Sequence, residues 1–96
     1  MTILQYDNAC NKAHDVLDAQ GCVCIKATMS QEDFGKFMHG CKDLRPSVDY
    51  DYSYMGNDTA YVYAIVTNTD EYDKHNYAGF IMSELAYYGA KKIESI

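Results

Sequence analysis

The chain lacks the features that mark disordered, membrane-spanning and secreted proteins. It has one proline in 96 residues, and 48% of its residues are apolar, which argues against intrinsic disorder. No apolar run approaches the roughly 18 residues that a membrane-spanning helix needs. The N-terminus lacks the basic and apolar segments of a secretory signal. We therefore expect residues 1–96 to form one cytoplasmic domain.

A long stretch of the chain also lacks basic residues. Between Pro46 and Asp73 there is no lysine or arginine, whereas six acidic residues and six tyrosines occur there. The whole chain has fourteen Asp and Glu against eight Lys and Arg, a formal net charge of −6. Such an excess repels phosphates and anionic lipids and attracts basic protein surfaces. We predict a protein partner with a basic surface, and neither direct nucleic-acid binding nor membrane association.

Motifs for metal binding are missing as well. A zinc site usually includes a Cys-x2-4-Cys knuckle, and the chain has none. Cys10 with His14, and His39 with Cys41, have spacings that can chelate. However, both cysteines fall on predicted apolar helix stripes, where cysteine behaves as a small hydrophobe. We expect no metal and no cofactor.

No residue pattern indicates catalysis. The chain has no glycine-rich phosphate loop and no paired-carboxylate signature. A nucleophilic thiol would need a neighbouring histidine and an orienting carboxylate, and the sequence places neither Cys22 nor Cys24 in such a setting. A disulfide between these two residues of one predicted strand would be strained. We therefore expect free thiols and a protein that is not an enzyme.

The apolar periodicity predicts the order α-β-α-β-β-α-β. The predicted helices cover Thr2–Gln20, Ser30 to about Pro46, and Asn68 to about Tyr88, and the predicted strands cover Cys22–Met29, Val48–Met55, Thr59–Thr67 and Lys91–Ile96. Candidate capping pairs for the three helices are Thr2 with Gln5, Ser30 with Asp33, and Asn68 with Glu71, and Gly21 is a candidate stop for the first helix. The predicted apolar stripe of the second helix is Phe34, Phe37, Met38 and Cys41. The last six elements match a ferredoxin-like split βαβ arrangement with an extra N-terminal helix. This is an α+β fold with a four-stranded antiparallel sheet and its helices on one face. Right-handed crossovers place the first and third strands centrally and Val48–Met55 at an edge.

The third predicted strand separates two kinds of side chain. Ala60, Val62, Ala64 and Val66 share one face, opposite Tyr61, Tyr63 and Ile65. If the helices cover the aliphatic face, the two tyrosines look out from the open face with Cys22 and Cys24. The edge strand adds either Tyr50, Tyr52 and Tyr54 or Asp49, Asp51 and Ser53 to that face. Aromatic open faces are typical of RNA platforms, but those need basic surroundings, so we favour a protein interface. Rings that only stabilise the sheet are the alternative.

The acidic residues of this stretch suggest a surface that imitates a nucleic acid strand. Small proteins of phages and mobile elements use such surfaces to occupy the basic channels of nucleases, CRISPR effectors or polymerases. The chain resembles that group in size, charge and aromatic content, although it shares no motif with it. The resemblance implies a phage-encoded or mobile-element-encoded inhibitor or adaptor that occupies a basic surface of a nucleic-acid-handling host protein. The candidate partner-binding residues are Asp49, Tyr50, Asp51, Tyr52, Tyr54, Asp58, Tyr61, Tyr63, Asp70, Glu71 and Asp73.

Two other functions fit the same sequence. The first is a homo-oligomer that binds or sequesters a nucleotide or metabolite, either at a dimer seam or against the open tyrosine face. The second is a purely structural assembly protein. In each case the Val48–Met55 edge could form a homodimer, because Asp49 and Asp51 discourage open-ended pairing but allow a single two-fold contact.

Overall fold

The structure of the chain, a computed structural model, describes residues 1–40, 48–67 and 74–96, and for 48–50 and 74–77 it describes the backbone alone. Within this part the elements are α1 (Ile3–Gln20), β1 (Cys22–Ser30), α2 (Gln31–Gly40), β2 (Val48–Met55), β3 (Thr59–Thr67), α3 (Lys74–Tyr87) and β4 (Lys92–Ser95). Their order confirms the predicted order. None of the helices in the described ranges is long and apolar enough to cross a bilayer.

The ends of α1 follow from local sequence signals. The Gln5 N–H donates to Thr2 Oγ1 over 3.1 Å, and the Thr2 N–H donates to Gln5 Oε1 over 2.8 Å, which is the reciprocal capping box expected from the sequence. At the other end Gly21 has a φ of 77°, and its N–H donates to the Leu17 carbonyl over 2.8 Å. Glycine tolerates this left-handed conformation and therefore ends the helix.

Ser30 caps the start of α2, since the Asp33 N–H donates to Ser30 Oγ over 3.0 Å. Phe34 and Phe37 are buried, as predicted for its apolar stripe. Met38, which we expected on that stripe, is 36% exposed, because the helix packs through the two phenylalanines and turns Met38 outward. Cys41, the predicted stop at Pro46 and the predicted Asn68–Glu71 cap of α3 lie outside the described residues.

The described strands form one antiparallel sheet in the order β2-β3-β1-β4. The central positions of β1 and β3 and the edge position of β2 confirm the predicted α+β arrangement. The likeness to a ferredoxin-like domain is loose, because three helices share the covered face. α1 packs against α3, β1 and β4, and α2 packs against β1 and β3. The helical layer is thus shifted towards β4.

The hydrophobic core lies between this helical layer and one face of the sheet. Alternate residues of β1 and β3 pair across the two strands and are buried, which confirms the predicted faces: Val23 with Val66, Ile25 with Ala64, Ala27 with Val62, and Met29 with Ala60. The helices contribute Ala13, Leu17, Phe34, Phe37, Ala78, Ile81, Met82 and Leu85. Each large buried side chain stabilises the fold by about 1.5–3 kcal/mol relative to exposure.

Candidate protein-binding surface

The pairing of β2 with β3 decides which side chains of the edge strand face outward. Asp51 pairs with Tyr63, and Ser53 pairs with Tyr61, so these residues share the open face. Tyr52 and its second neighbour Tyr54 pair with Val62 and Ala60, which belong to the core face. Of the two alternatives left by the sequence, the open face therefore receives the aspartate set, and the tyrosines of β2 lie on the helical side.

On the helical side, Tyr52 and Tyr54 pack on Phe34 of α2. The ring centroid of Phe34 lies 4.9 Å from that of Tyr52 and 5.8 Å from that of Tyr54, and the two tyrosine rings are 5.3 Å apart. Phe34 is 3% exposed, whereas Tyr52 and Tyr54 are 51% and 57% exposed. We call these three residues the aromatic edge. A rigid, half-exposed cluster of this kind can be buried by a partner at little entropic cost.

Hydrogen bonds join the start of α2 to the tip of the β2–β3 hairpin. Gln31, the first residue of α2, donates from Nε2 to the Met55 carbonyl over 3.4 Å and from its backbone to the Asp58 carbonyl over 3.2 Å. Asn57 and Asp58 have φ values of 62° and 58°, which Asn and Asp adopt more readily than most residues. The turn and the start of α2 therefore form one continuous surface.

Carboxylates flank this surface. Asp51 accepts a hydrogen bond from the Tyr52 N–H over 2.8 Å, and Asp58 is exposed in the turn. Glu32 is exposed in the first turn of α2 and pairs with Lys36 over 3.5 Å. Such an exposed pair contributes about 0.3–0.5 kcal/mol. Three exposed carboxylates thus lie on the elements that form the aromatic edge and on the adjoining turn, although Asp51 itself belongs to the open face of the sheet.

The centre of the open face differs from what we expected, because it is not acidic. Lys26 of β1 places its ammonium group 4.1 Å from the ring centroid of Tyr61 and 6.0 Å from that of Tyr63. Its Nζ also lies 3.8 Å from Glu94 Oε1, and Lys92 Nζ lies 3.2 Å from Glu94 Oε2. Two lysines therefore balance the carboxylates of this face. Tyr61 and Tyr63 therefore contact the ammonium group of Lys26 in the same chain through cation–π interactions.

The predicted site residues consequently divide among several places. Tyr61, Tyr63 and Asp51 lie on the open face, Tyr52 and Tyr54 lie on the aromatic edge, and Asp58 lies in the turn. Of Asp49 and Tyr50 the structure describes the backbone alone, in register with Ile65 and Ala64 of β3. Asp70, Glu71 and Asp73 lie outside the described residues. The structure therefore does not gather the candidates on a single sheet face.

Sequence reasoning missed two contributions. Phe34 was assigned to a buried helix stripe, but nothing in the pattern showed that it supports the rings of β2. Lys26 alternates with Cys24 and Thr28 on the open face, so its position was readable, while its contact with Tyr61 was not. Carboxylates also occur beyond the predicted stretch, since Asp7 and Asp15 are exposed on α1.

The three described cysteines, Cys10, Cys22 and Cys24, are free thiols. Burial raises the pKa of Cys24. Burial also raises the pKa of Cys10; the charge of Asp7 acts in the same direction, and a hydrogen bond from Tyr6 opposes both. Thiols of this kind are poor nucleophiles near neutral pH. Across the described ranges, no three His, Cys, Asp or Glu side chains are grouped to hold a metal ion.

Two adjoining grooves lie far from the aromatic edge. One, of about 410 Å³, runs between α1 and β4 and includes Ala9, Lys12 and Ile93 in its walls. The other, of about 430 Å³, lies between the start of α1 and the end of α3. Met1 and Lys91 line both. Each volume is within the range of small-molecule sites.

Comparisons with known proteins found no family model, no curated protein and no solved structure that matches the chain. The function of the chain is therefore inferred from the geometry and charge of the described residues.

Proposed function

We propose that this chain is a small acidic protein-binding inhibitor or adaptor that occupies a basic surface of a nucleic-acid-handling host protein. The observation that carries the proposal is the aromatic edge. Tyr52 and Tyr54 are more than half exposed although they rest on a buried ring, Phe34, and the carboxylates of Asp51 and Asp58 lie on the same hairpin. Exposed aromatic groups inside a charged rim are typical of protein interfaces.

The two kinds of group have different roles in this proposal. The tyrosine rings bury a large apolar area with few rotatable bonds, so they supply most of the affinity. The carboxylates steer the approach of a basic partner and set its orientation. They also stand where the phosphates of a bound nucleic acid would otherwise lie, which would make the protein a competitor of that nucleic acid.

The proposed setting follows from the same properties. The small size, the acidic excess and the tyrosine content resemble those of phage and mobile-element inhibitors, so we propose such an origin and action in the host cytoplasm. No enzymatic step is part of this function.

An affinity experiment at two salt concentrations tests the proposal. Native protein and the variant Asp51→Lys/Asp58→Lys are immobilised and exposed to host lysate at about 0.05 M and about 0.5 M salt. We expect a nucleic-acid-binding protein that native bait retains at low salt and loses at high salt, because screening shortens the reach of exposed charges. The same protein should be absent from the variant bait and should be displaced by added DNA.

A charge-matched variant provides the control. Asp7→Lys/Asp15→Lys changes the net charge by the same amount on α1, and it should retain the captured protein. If both variants lose the protein equally, general acidity and not the aromatic edge causes the retention. If native and hairpin-variant baits retain the same proteins at both salt concentrations, the proposal is wrong.

A second candidate function is supported by the two adjoining grooves at α1. Their volumes of about 410 and 430 Å³ and their lysines suit a nucleotide or another anionic metabolite. Native mass spectrometry of freshly purified protein tests this function directly. A bound small molecule that Lys12→Glu releases would support it, and a spectrum of the bare chain would argue against it.

A further inference from the structure

β4 is an edge strand with an open outer side. In the described part of the chain, only β1 pairs with it. All residues from Lys91 to Ser95 line the groove between α1 and β4, including those that alternate between the two sheet faces. Because residues from both sheet faces line the groove, it runs along the outer edge of β4. We call it the α1–β4 groove.

The α1–β4 groove is basic in an otherwise acidic protein. Of the five lysines whose side chains the structure describes, Lys12, Lys91 and Lys92 lie in its walls. Lys92 pairs with Glu94, while Lys12 and Lys91 have no ion pair among the described residues. The opposite edge, β2, has the reverse charge, because its sequence VDYDYSYM contains two aspartates and no lysine or arginine.

The outward-facing backbone groups of β4 and β2 can pair with each other. The Ile96 N–H donates to the Cys24 carbonyl over 3.0 Å, so alternation along an antiparallel pair turns the N–H and C=O groups of Ile93 and Ser95 to the outer side. At the other edge, the Tyr52 N–H donates to the side chain of Asp51, which places the backbone of Tyr52 on the outer side of β2. Both outward-facing sets have their side chains on the helical side of the sheet.

Strand direction matches too. β2 and β1 are each antiparallel to β3, so they run the same way, and β4 runs against β1. When two copies lie side by side in the same orientation, the β2 edge of one copy is therefore antiparallel to the β4 edge of the next. Helices then lie on the same side in both copies, and one sheet continues into the other.

Side-chain packing completes the fit. The helical layer is shifted towards β4, so α1 forms one wall of the groove beside that edge, whereas Tyr52 and Tyr54 of β2 are half exposed on the helical side. Placed against β4, these rings would enter the α1–β4 groove beside Ile93. There they would also approach Ser95, whose hydroxyl oxygen is buried with no hydrogen-bond partner among the described residues.

We propose that copies of this chain associate head to tail, with the β2 edge of one copy paired to the β4 edge of the next. The charges favour this pairing over the two symmetric ones. A two-fold β2–β2 contact, which is the homodimer that the sequence left open, would bring aspartates together, and a β4–β4 contact would bring lysines together. Both are unfavourable. Head-to-tail contacts of this kind form rings or open chains and do not stop at a dimer.

Head-to-tail pairing uses the same β2 edge as the proposed function but needs no foreign partner. Self-association would hide the aromatic edge, so a foreign partner and a second copy would compete for it. The assembled form would then be a store from which the monomer is released on dilution.

Sedimentation equilibrium of the native protein over concentrations up to about 1 mM is the first test. We expect a mean mass that rises past that of a dimer at low salt and falls as salt is added. A monomer throughout, or a dimer that stays a dimer at the highest concentration, would overturn the proposal. A monomer that binds an added acidic peptide or an anionic metabolite in the groove would overturn it as well.

Two variants and their mixture supply the decisive test. Asp49→Lys/Asp51→Lys reverses the charge of the β2 edge, and Lys91→Glu/Lys92→Glu reverses the charge of the β4 edge. Each variant alone should associate at least about 100-fold more weakly than native protein, because every contact then opposes like charges. In an equimolar mixture, native β2 edges face native β4 edges and reversed β2 edges face reversed β4 edges, so every contact again joins opposite charges. The mixture should therefore associate past a dimer, although neither variant does so alone.

One control detects misfolding of the variants, and another tests the proposed function separately from head-to-tail pairing. Asp7→Lys alters the charge on the exposed side of α1 and should associate like native protein. If both edge variants stay monomeric after mixing, the proposal is wrong. Circular dichroism shows independently whether either variant is unfolded. The β4 variant retains its aromatic edge, so it should still capture the basic host partner; a loss of capture there would count against the proposed function and not against head-to-tail pairing.

Discussion

The two edges of the sheet differ in charge, in composition and in how they are protected. β2 has eight residues, three of them tyrosines, and its Asp51 carboxylate binds the outward N–H of Tyr52. β4 has four residues and lies beside α1, where Lys12, Lys91 and Lys92 line the groove. Open edges invite strand pairing unless charge or short length prevents it. Here the aspartates of β2 disfavour pairing with a second β2 edge and the lysines beside β4 disfavour pairing with a second β4 edge, whereas their opposite charges leave β2–β4 pairing open.

The contrast shows where binding capacity lies in so small a domain. Between the edges, Lys26 is held by Tyr61 and Glu94, so the centre of the open face already satisfies its own charges. At β2 the aromatic groups are supported from below by Phe34 and open above. Each edge of the sheet exposes groups that a binding partner could contact, and the two edges have opposite charge.

The largest expected effect concerns the support of the β2 edge. Phe34→Ala removes a ring that is 3% exposed and touches both Tyr52 and Tyr54. We expect the free energy of unfolding to fall by about 3–5 kcal/mol, measured by urea denaturation. Near-ultraviolet circular dichroism should also show a loss of tyrosine signal, because the rings lose their fixed packing.

Ile93→Ala is the matched change at the β4 edge, where the side chain is 6% exposed. It should destabilise the fold by about 2–3 kcal/mol and leave the tyrosine signal of the folded protein intact. A loss below about 1 kcal/mol for Phe34→Ala would show that the aromatic edge is not a packed unit.

A smaller effect is expected in the middle of the sheet, between its two edges. Lys26→Met keeps the hydrocarbon stem but removes the cation that lies over Tyr61 and beside Glu94. We expect a loss of about 1 kcal/mol in the free energy of unfolding. A double-mutant cycle with Tyr61→Leu should give a coupling of about 0.5–1 kcal/mol. Additive losses would mean that the ammonium group and the ring do not interact.

Much of the fold could be read from the sequence, because its signals are local. The capping residues Thr2 and Ser30, the stop at Gly21 and the alternation of β1 and β3 each act within a few residues. The candidate surface was harder to predict from the sequence. Which side of β2 carries Tyr52 depends on its register with β3, and a shift of one residue reverses the two faces.

The charge distribution was harder still to foresee. Lysines far apart in sequence, such as Lys12 and Lys91, meet at the α1–β4 groove only because α1 packs beside β4. Composition gives the net charge of the chain, but it carries no information about which charges share a surface. The opposite charges of the two edges are a property of the topology.

Alkaline pH should affect the helix that borders the β4 edge. Burial, with a hydrogen bond to Cys10 and the charges of Cys10 and Asp7, raises the pKa of Tyr6 from 10.0 to about 12. The protonated phenol is therefore favoured in the folded state. Its contribution to stability is complete below pH 10 and is lost as the pH rises through about 12.

Tyr6→Phe should consequently lose less stability than native protein between pH 10 and 12, as measured by thermal melting at each pH. The exposed Tyr87→Phe is the control and should follow native protein. If native protein and Tyr6→Phe decline in parallel, Tyr6 does not ionise in this window.

The smallest expected effect distinguishes two thiols on the same strand. Cys22 is exposed at the start of β1, whereas burial raises the pKa of Cys24. Iodoacetamide should therefore label Cys22 several times faster than Cys24 at mildly alkaline pH, which peptide mass spectrometry can follow. Equal rates in the folded protein, with no change on adding urea, would contradict the described burial.

The most direct test of the central claim is a nuclear magnetic resonance titration of the monomeric β4 variant with a short oligo-arginine peptide. Because the peptide is basic throughout, it is free to choose between the aromatic edge and the carboxylates of α1. The account predicts chemical-shift changes concentrated at Asp51, Tyr52, Tyr54 and Asp58. Changes of equal size around Asp7 and Asp15 would show that the protein attracts cations by its net charge alone, and that the aromatic edge is not a binding surface.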